Sequence, residues 1–62
     1  MERWQGDRLP ARLRRRRRTL GLSQTELGAL FCRSRTMVFE WETGRLPPPS
    51  EVVAWLEQVE SG

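Results

Sequence analysis

Two serines that precede helix-forming segments constrain this chain more than any other feature. Ser23 and Glu26 have the spacing of a capping box, which predicts a helix that begins at Gln24. Ser34 is a second N-cap. The sequence therefore predicts two short helices that are joined by a tight turn and packed through apolar stripes, with the outer face of the second helix left free. The stripes are formed by Leu27, Leu30 and Phe31 after the first cap and by Val38 and Trp41 after the second.

The length of the chain limits its function. A chain of 62 residues is expected to form one small domain, 1–62, with a marginal core, which argues against an enzyme and favours dimerisation. No metal or cofactor is expected, because there is no histidine and only one cysteine, and Glu40 and Glu42 face different directions on a helix. Without a membrane span or a signal-peptide core, the protein is expected to be cytoplasmic.

Charge is distributed unevenly along the sequence. All eleven cationic residues are arginine, and most of them precede residue 19, whereas the segment from residue 50 onward contains only glutamates as charged residues. A basic N-terminal part favours a polyanionic partner. The arginine run at 14–18 is also consistent with a solvated helix face or with codon bias. Five consecutive helical residues turn through more than a full circle, so these arginines cannot all face one way.

Caps and helix breakers predict four helices. The first follows Gly6 or Asp7 and takes in Pro10 near its first turn, where a missing amide costs nothing. Ser50 is predicted to cap the fourth helix, after a stiff connector at prolines 47–49. The predicted helices span about 8–20, 24–31, 35–43 and 51–59.

The first predicted helix places an arginine on its apolar side. Leu9, Leu13 and Leu20 form one stripe, and Arg17 falls on the same stripe and faces inward. A buried guanidinium needs a partner of opposite charge. The helix spacing alone does not identify that partner.

A longer pattern extends from residue 9 to about residue 50. Its elements are weak singly, but their order and spacing are specific, and the segment resembles the lambda-repressor/Cro-type (XRE-like) helix-turn-helix family. The resemblance implies an all-α, lambda-repressor-like domain of four or five helices. The matching residues are Arg17, Leu20-Gly21-Leu22-Ser23-Gln24, Leu27, Ser34, Val38, Trp41-Glu42-Thr43-Gly44 and Pro48.

The resemblance also implies roles for individual residues. Arg17 would form a structural ion pair with Glu42, and Gln24 would bind a phosphate at a helix N-terminus. Arg35 is suited to read the O6 and N7 atoms of guanine, with phosphate contact as the alternative. The implied DNA-binding set is Ser23, Gln24, Arg33, Ser34, Arg35, Thr36, Phe39, Glu40, Thr43 and Arg45.

Four residues depart from the family pattern. Cys32 replaces the usual turn glycine, and a left-handed conformation there would cost on the order of 1 kcal/mol. Arg33 replaces an apolar residue before the cap. Phe39 and Glu40 stand where polar or basic residues are usual. Phe39 could contact a thymine methyl and Glu40 could accept from cytosine N4, or the two could belong to a protein-binding face.

The sequence therefore predicts a sequence-specific DNA-binding transcriptional regulator, a Cro- or immunity-type repressor that binds a two-fold operator as a homodimer through its C-terminal part. Phage, restriction-control and antitoxin settings remain open. One alternative is a helix-turn-helix scaffold that binds a protein through Phe39, and another is an arginine-rich RNA binder using residues 12–18. Trp4 and Trp55 lie outside the motif, and either pack the small core or form a dimer seam.

Overall fold

The fold was obtained as a computed structural model, which describes residues 8–61. Within that range the chain forms four α-helices and no strand, which confirms the predicted all-α fold. Trp4 and the two residues expected to precede the first helix, Gly6 and Asp7, lie outside the described residues. The helices are α1 (Leu9–Thr19), α2 (Gln24–Leu30), α3 (Arg35–Thr43) and α4 (Ser50–Ser61).

Local hydrogen bonds fix the ends of α2 and α3. The Glu26 N–H donates to Ser23 Oγ at 3.0 Å, and the Ser23 N–H donates back to Glu26 Oε1 at 2.8 Å, so the capping box is complete. Ser34 Oγ likewise accepts the Met37 N–H at 3.2 Å. Gly44 ends α3 at φ +83°, a left-handed conformation that glycine adopts without a Cβ clash. Both helices are therefore delimited by their own sequence.

Five helix ends lie one or two residues from their predicted positions, and the first of them is the start of α1, at Leu9 and not at residue 8. Leu20 and Phe31 are C-cap residues and not the last residues of α1 and α2. The Pro49 carbonyl already accepts two backbone N–H groups of α4, so Ser50 is the first residue of that helix and not its cap. At its other end α4 continues to Ser61.

The core lies among all four helices. Trp41 of α3 is its largest side chain, and the predicted burial of Val38 and Trp41 is confirmed. Phe31 and Trp55 pack at the edge of the core with their rings edge to face and their centroids 5.8 Å apart. Trp55 therefore contributes to packing within the chain. The fully buried apolar side chains are Leu13, Leu27, Val38, Trp41, Val52 and Leu56.

Two leucines that were assigned to the packing stripes are exposed. Leu20, 47% exposed, follows the end of α1, so the helical spacing that would place it inward no longer applies. Leu30 is 56% exposed. The buried face of α2 is centred between Leu27 and Gly28, and at about 100° per residue Leu30 lies roughly 110° from that centre. The prediction that these two leucines pack in the core was wrong.

Candidate nucleic-acid interface

Helix α3 has one buried face and one free face. Val38, Trp41 and Glu42 are buried against the other helices. The free residues fall within an arc of about 140° on the opposite side of the helix. Four of the five are exposed, and Glu40 is half-buried. The residues of this free face are Arg35, Thr36, Phe39, Glu40 and Thr43.

A buried carboxylate holds α3 against α1. Arg17 Nε lies 2.6 Å from Glu42 Oε2, and Arg17 Nη2 donates to Glu42 Oε1 at 3.2 Å. Arg17 Nη1 donates to the carbonyl of Leu22 at 2.7 Å, and Leu22 lies in the connection between α1 and α2. The two charged side chains are 12% and 3% exposed. One guanidinium therefore fixes α1, the α1–α2 connection and α3 relative to one another.

The side chain of Gln24 joins the same cluster. Gln24 Nε2 donates to Glu42 Oε1 at 3.2 Å, and the residue is half-buried. The resemblance assigns this residue to a phosphate contact at the start of α2. In this structure its amide bonds to Glu42, so a phosphate contact by the side chain would have to compete with that bond or use the amide's remaining N–H.

The turn between α2 and α3 depends on two unusual backbone positions. The Gly28 carbonyl accepts the N–H groups of Phe31 and Arg33 at 3.0 and 2.8 Å. A Cβ added to Gly28 would lie 2.5 Å from the Arg33 carbonyl oxygen, so only glycine permits this close approach. Cys32 adopts φ +57°, the left-handed conformation that the family glycine would occupy without strain. Cysteine therefore occupies a left-handed position in this turn, at a cost on the order of 1 kcal/mol relative to glycine.

The predicted DNA-binding residues at the starts of α2 and α3 are two N-cap serines and one arginine that contacts α4. Ser23 and Ser34 are exposed N-caps, and each side-chain oxygen accepts a backbone N–H. Arg33 turns towards α4: its Nη1 donates to the Phe31 carbonyl at 2.9 Å, and its Nη2 lies 3.4 Å from Glu51 Oε2. An exposed pair of this kind is weak, and the arginine can leave it for another anion.

Two further arginines of the predicted DNA-binding set are exposed. The guanidinium groups of Arg35 and Arg45 form no hydrogen bond or ion pair with any described residue. Arg35 lies in the first turn of α3, at the edge of its free face. Arg45 follows the end of α3, where its backbone N–H donates to the Glu40 carbonyl at 3.0 Å. Both charges are therefore available to an external partner.

Two arginines outside the predicted set also lie beside α3. Arg14 and Arg18 of α1 line a depression of about 240 Å³ together with Gln24, Phe39 and Thr43. Sequence reasoning noted the arginine run but could not show which members face α3, because that depends on how α1 crosses it. The i, i+4 spacing of these two residues was the available signal.

The described residues contain no cluster of potential metal ligands. In this part of the chain there is also no helix long and apolar enough to cross a membrane. The free face of α3 itself carries one guanidinium, two hydroxyls, a half-buried carboxylate and one exposed aromatic ring.

Residues 8–57 match a family model that is described as a helix-turn-helix domain. Since this match covers most of the chain, the protein belongs to the helix-turn-helix family, in agreement with the XRE/Cro-like resemblance. Comparisons with curated proteins and with solved structures gave no match. Membership of this family indicates a DNA-binding regulator, and such domains are typically non-enzymatic.

Proposed function

We propose that this protein is a sequence-specific DNA-binding transcriptional regulator of the Cro or immunity-repressor kind, which places α3 in the major groove. The observation that supports this most is the free face of α3. Its residues point away from the core, whereas Glu42 and Trp41 fix the back of the helix. A rigid helix with a free polar face is what reading base edges in the major groove requires.

The first four residues of the free face each have a matching partner in the groove. The planar guanidinium of Arg35 fits the O6 and N7 acceptors of guanine. Thr36 can contact either a base edge or a phosphate. Phe39 contacts a thymine methyl, and Glu40 accepts from cytosine N4. The flanking residues Ser23, Gln24, Arg33, Ser34, Thr43 and Arg45 position the protein on the DNA backbone, which fixes register without reading sequence.

One copy of α3 reads little DNA. Its nine residues span roughly 13 Å, which corresponds to about four base pairs at 3.4 Å each. We therefore propose that two copies bind a two-fold operator, with half-sites about one helical turn apart. The C-terminal part supplies the dimer contact, and Val53, Trp55 and Val59 are its partly exposed apolar side chains. A regulator of this kind acts in the cytoplasm.

The first test selects bound DNA from a random pool and then titrates the wild type and Arg35→Ala against the selected duplex at fixed salt. We expect Arg35→Ala to cost roughly 1–3 kcal/mol of binding and to relax the preference at one guanine of each half-site. Arg16→Ala is the control, because Arg16 lies on α1 away from α3. If no selected sequence outcompetes bulk DNA for the wild-type protein, the proposal is contradicted.

A second candidate function has one observation in its favour. Phe39 is 47% exposed in the middle of the free face, and an exposed aromatic ring is a common anchor of protein interfaces. If α3 binds a protein, Phe39→Ala abolishes that association and Arg35→Ala changes little. If α3 reads DNA, Phe39→Ala changes the preference at a position next to the guanine that Arg35 reads. The same titrations therefore separate the two functions.

A further inference from the structure

The structure divides the arginines of α1 among three directions. Arg17 faces inward and bonds to Glu42. Arg12 bonds to Glu60 of α4, and the charge of Arg16 acts on the same carboxylate. Arg14 and Arg18 are exposed on a third side, which faces the C-terminal end of α3. The run is therefore not a uniformly solvated charge cluster.

The third side of α1 borders a groove of about 710 Å³. Arginines at positions 14, 15 and 18 line it from α1 and Arg8 lines it from the N-cap of that helix, while Thr43 and Gly44 line it from the end of α3. Its one carboxylate is Glu42, whose oxygens are already bonded to Arg17 and Gln24. The groove is therefore lined by arginines, and its one acidic side chain is already paired.

Arg14 and Arg18 are the two members of this group that lie one helical turn apart on α1. Their guanidinium groups form no hydrogen bond or ion pair with any described residue. At i and i+4 they lie on one face of α1, about 6 Å apart along the helix axis. Like charges at this spacing repel each other and slightly destabilise the helix. An external anion would remove that repulsion.

The groove is continuous with the free face of α3. Arg14, Arg18 and Thr43 line both the groove and the smaller depression that contains Phe39. A ligand that lies along α3 would therefore pass directly over both arginines. This continuity favours an extended polyanion over a small isolated anion.

We propose that Arg14 and Arg18 bind phosphates of the DNA strand that borders the major groove occupied by α3, so that DNA is held by α1 as well as by α3. This inference rests on the proposed function. A guanidinium binds a phosphate through paired hydrogen bonds, and such contacts set position and affinity without reading sequence. The DNA footprint of one copy would then extend beyond the base pairs that α3 reads.

The experiment measures binding to a selected operator and to bulk duplex over a range of salt concentrations. The variants are Arg14→Gln, Arg18→Gln and the double variant, with Arg16→Gln as the matched control on the α4 side of α1. Glutamine keeps the helix propensity and a polar end group but removes the charge. Circular dichroism at each salt concentration shows whether every variant is folded.

We expect each single variant to reduce the slope of log K against log salt by about 0.9 and the double variant by about 1.8. If the two phosphate contacts no longer add to the affinity near 1 M salt, the double variant binds both duplexes roughly 30-fold more weakly than the wild type at 0.15 M. The ratio of operator to bulk affinity should not change, and Arg16→Gln should match the wild type.

If the wild type binds DNA and the double variant has the same slope of log K against log salt, this inference is overturned and the proposed function stays intact. A wild type that binds no duplex at any salt concentration overturns both. A double variant that loses affinity for an RNA hairpin but keeps its full affinity for duplex DNA also overturns the inference, and supports the arginine-rich RNA binder instead.

Discussion

Helix α1 is joined to two other helices by an arginine–glutamate pair, and the two pairs have similar geometry but differ in burial. Arg17 bonds to Glu42 of α3, and Arg12 bonds to Glu60 of α4, each with a closest N–O distance of 2.6 Å. Both pairs are bidentate. The side chains of the first pair are 12% and 3% exposed, whereas those of the second are 29% and 26% exposed.

This difference in hydration decides what each pair contributes. If Arg12 loses its partner, water replaces it at little cost, since exposed pairs contribute about 0–1 kcal/mol. If Arg17 loses its partner, an uncompensated charge stays in a poorly hydrated site. The distance between the charged atoms is therefore a poor guide to the energy of either pair. The buried pair positions the proposed reading helix, and the exposed pair positions α4.

The largest effect is expected for Glu42→Ala. Removing the carboxylate leaves Arg17 unpaired and should lower the free energy of unfolding by about 3–5 kcal/mol. A chain of 62 residues has a total stability of only about 3–9 kcal/mol, so this loss removes roughly a third or more of it and should lower the melting temperature strongly. Thermal unfolding followed by circular dichroism measures this directly.

Glu60→Ala is the matched control, because it removes a carboxylate with the same N–O distance from the other junction. We expect it to change stability by less than about 1 kcal/mol. If Glu42→Ala and Glu60→Ala lose equal free energies of unfolding, burial does not determine how much each pair stabilises the protein. An unchanged melting temperature for Glu42→Ala would show that Arg17 does not need this partner.

A smaller effect is expected for Gln24→Ala, which removes one hydrogen bond from the buried junction and leaves its charges paired. The loss should be about 1 kcal/mol, measured as a shift in the urea midpoint. Thr25→Ala, at an exposed neighbouring position of α2, is the control and should stay within about 0.5 kcal/mol of the wild type. If Gln24→Ala leaves stability unchanged but weakens DNA binding, its amide serves phosphate and not Glu42.

Features encoded by neighbouring residues could be predicted from the sequence. The capping box at Ser23 depends on a few adjacent positions and is present in the structure. The left-handed conformation of Cys32 is also present, but the expectation came from the glycine that the family resemblance places there. The inward direction of Arg17 followed from helical spacing. Its pairing with Glu42 came from the family resemblance, because helical spacing does not indicate which distant carboxylate lies opposite.

Features that depend on how whole helices cross could not be predicted. Glu60 is 48 positions from Arg12, and Glu51 is 18 positions from Arg33, so no local pattern links either pair. The exposure of Leu30 has the same origin, since the other helices cover a different side of α2. For the candidate site, the side of α1 that borders α3 could be identified only from the packed structure.

The smallest effect is a dependence on pH at the exposed junction. The hydrogen bond from Arg12, with the charges of Arg16 and Arg15, holds the pKa of Glu60 below its ordinary value of 4.5, although partial desolvation opposes this. Because the pKa is lower in the folded state than in the unfolded chain, the stabilisation is complete above about pH 4.5 and is lost as the pH falls through the folded value. Wild type and Glu60→Gln should therefore differ by less than about 1 kcal/mol at pH 7 and converge at low pH. If the difference in stability between wild type and Glu60→Gln persists at pH 2, Glu60 stabilises its junction by packing and not by charge. The two junctions would then be held by different interactions, and not by the same interaction at different hydration.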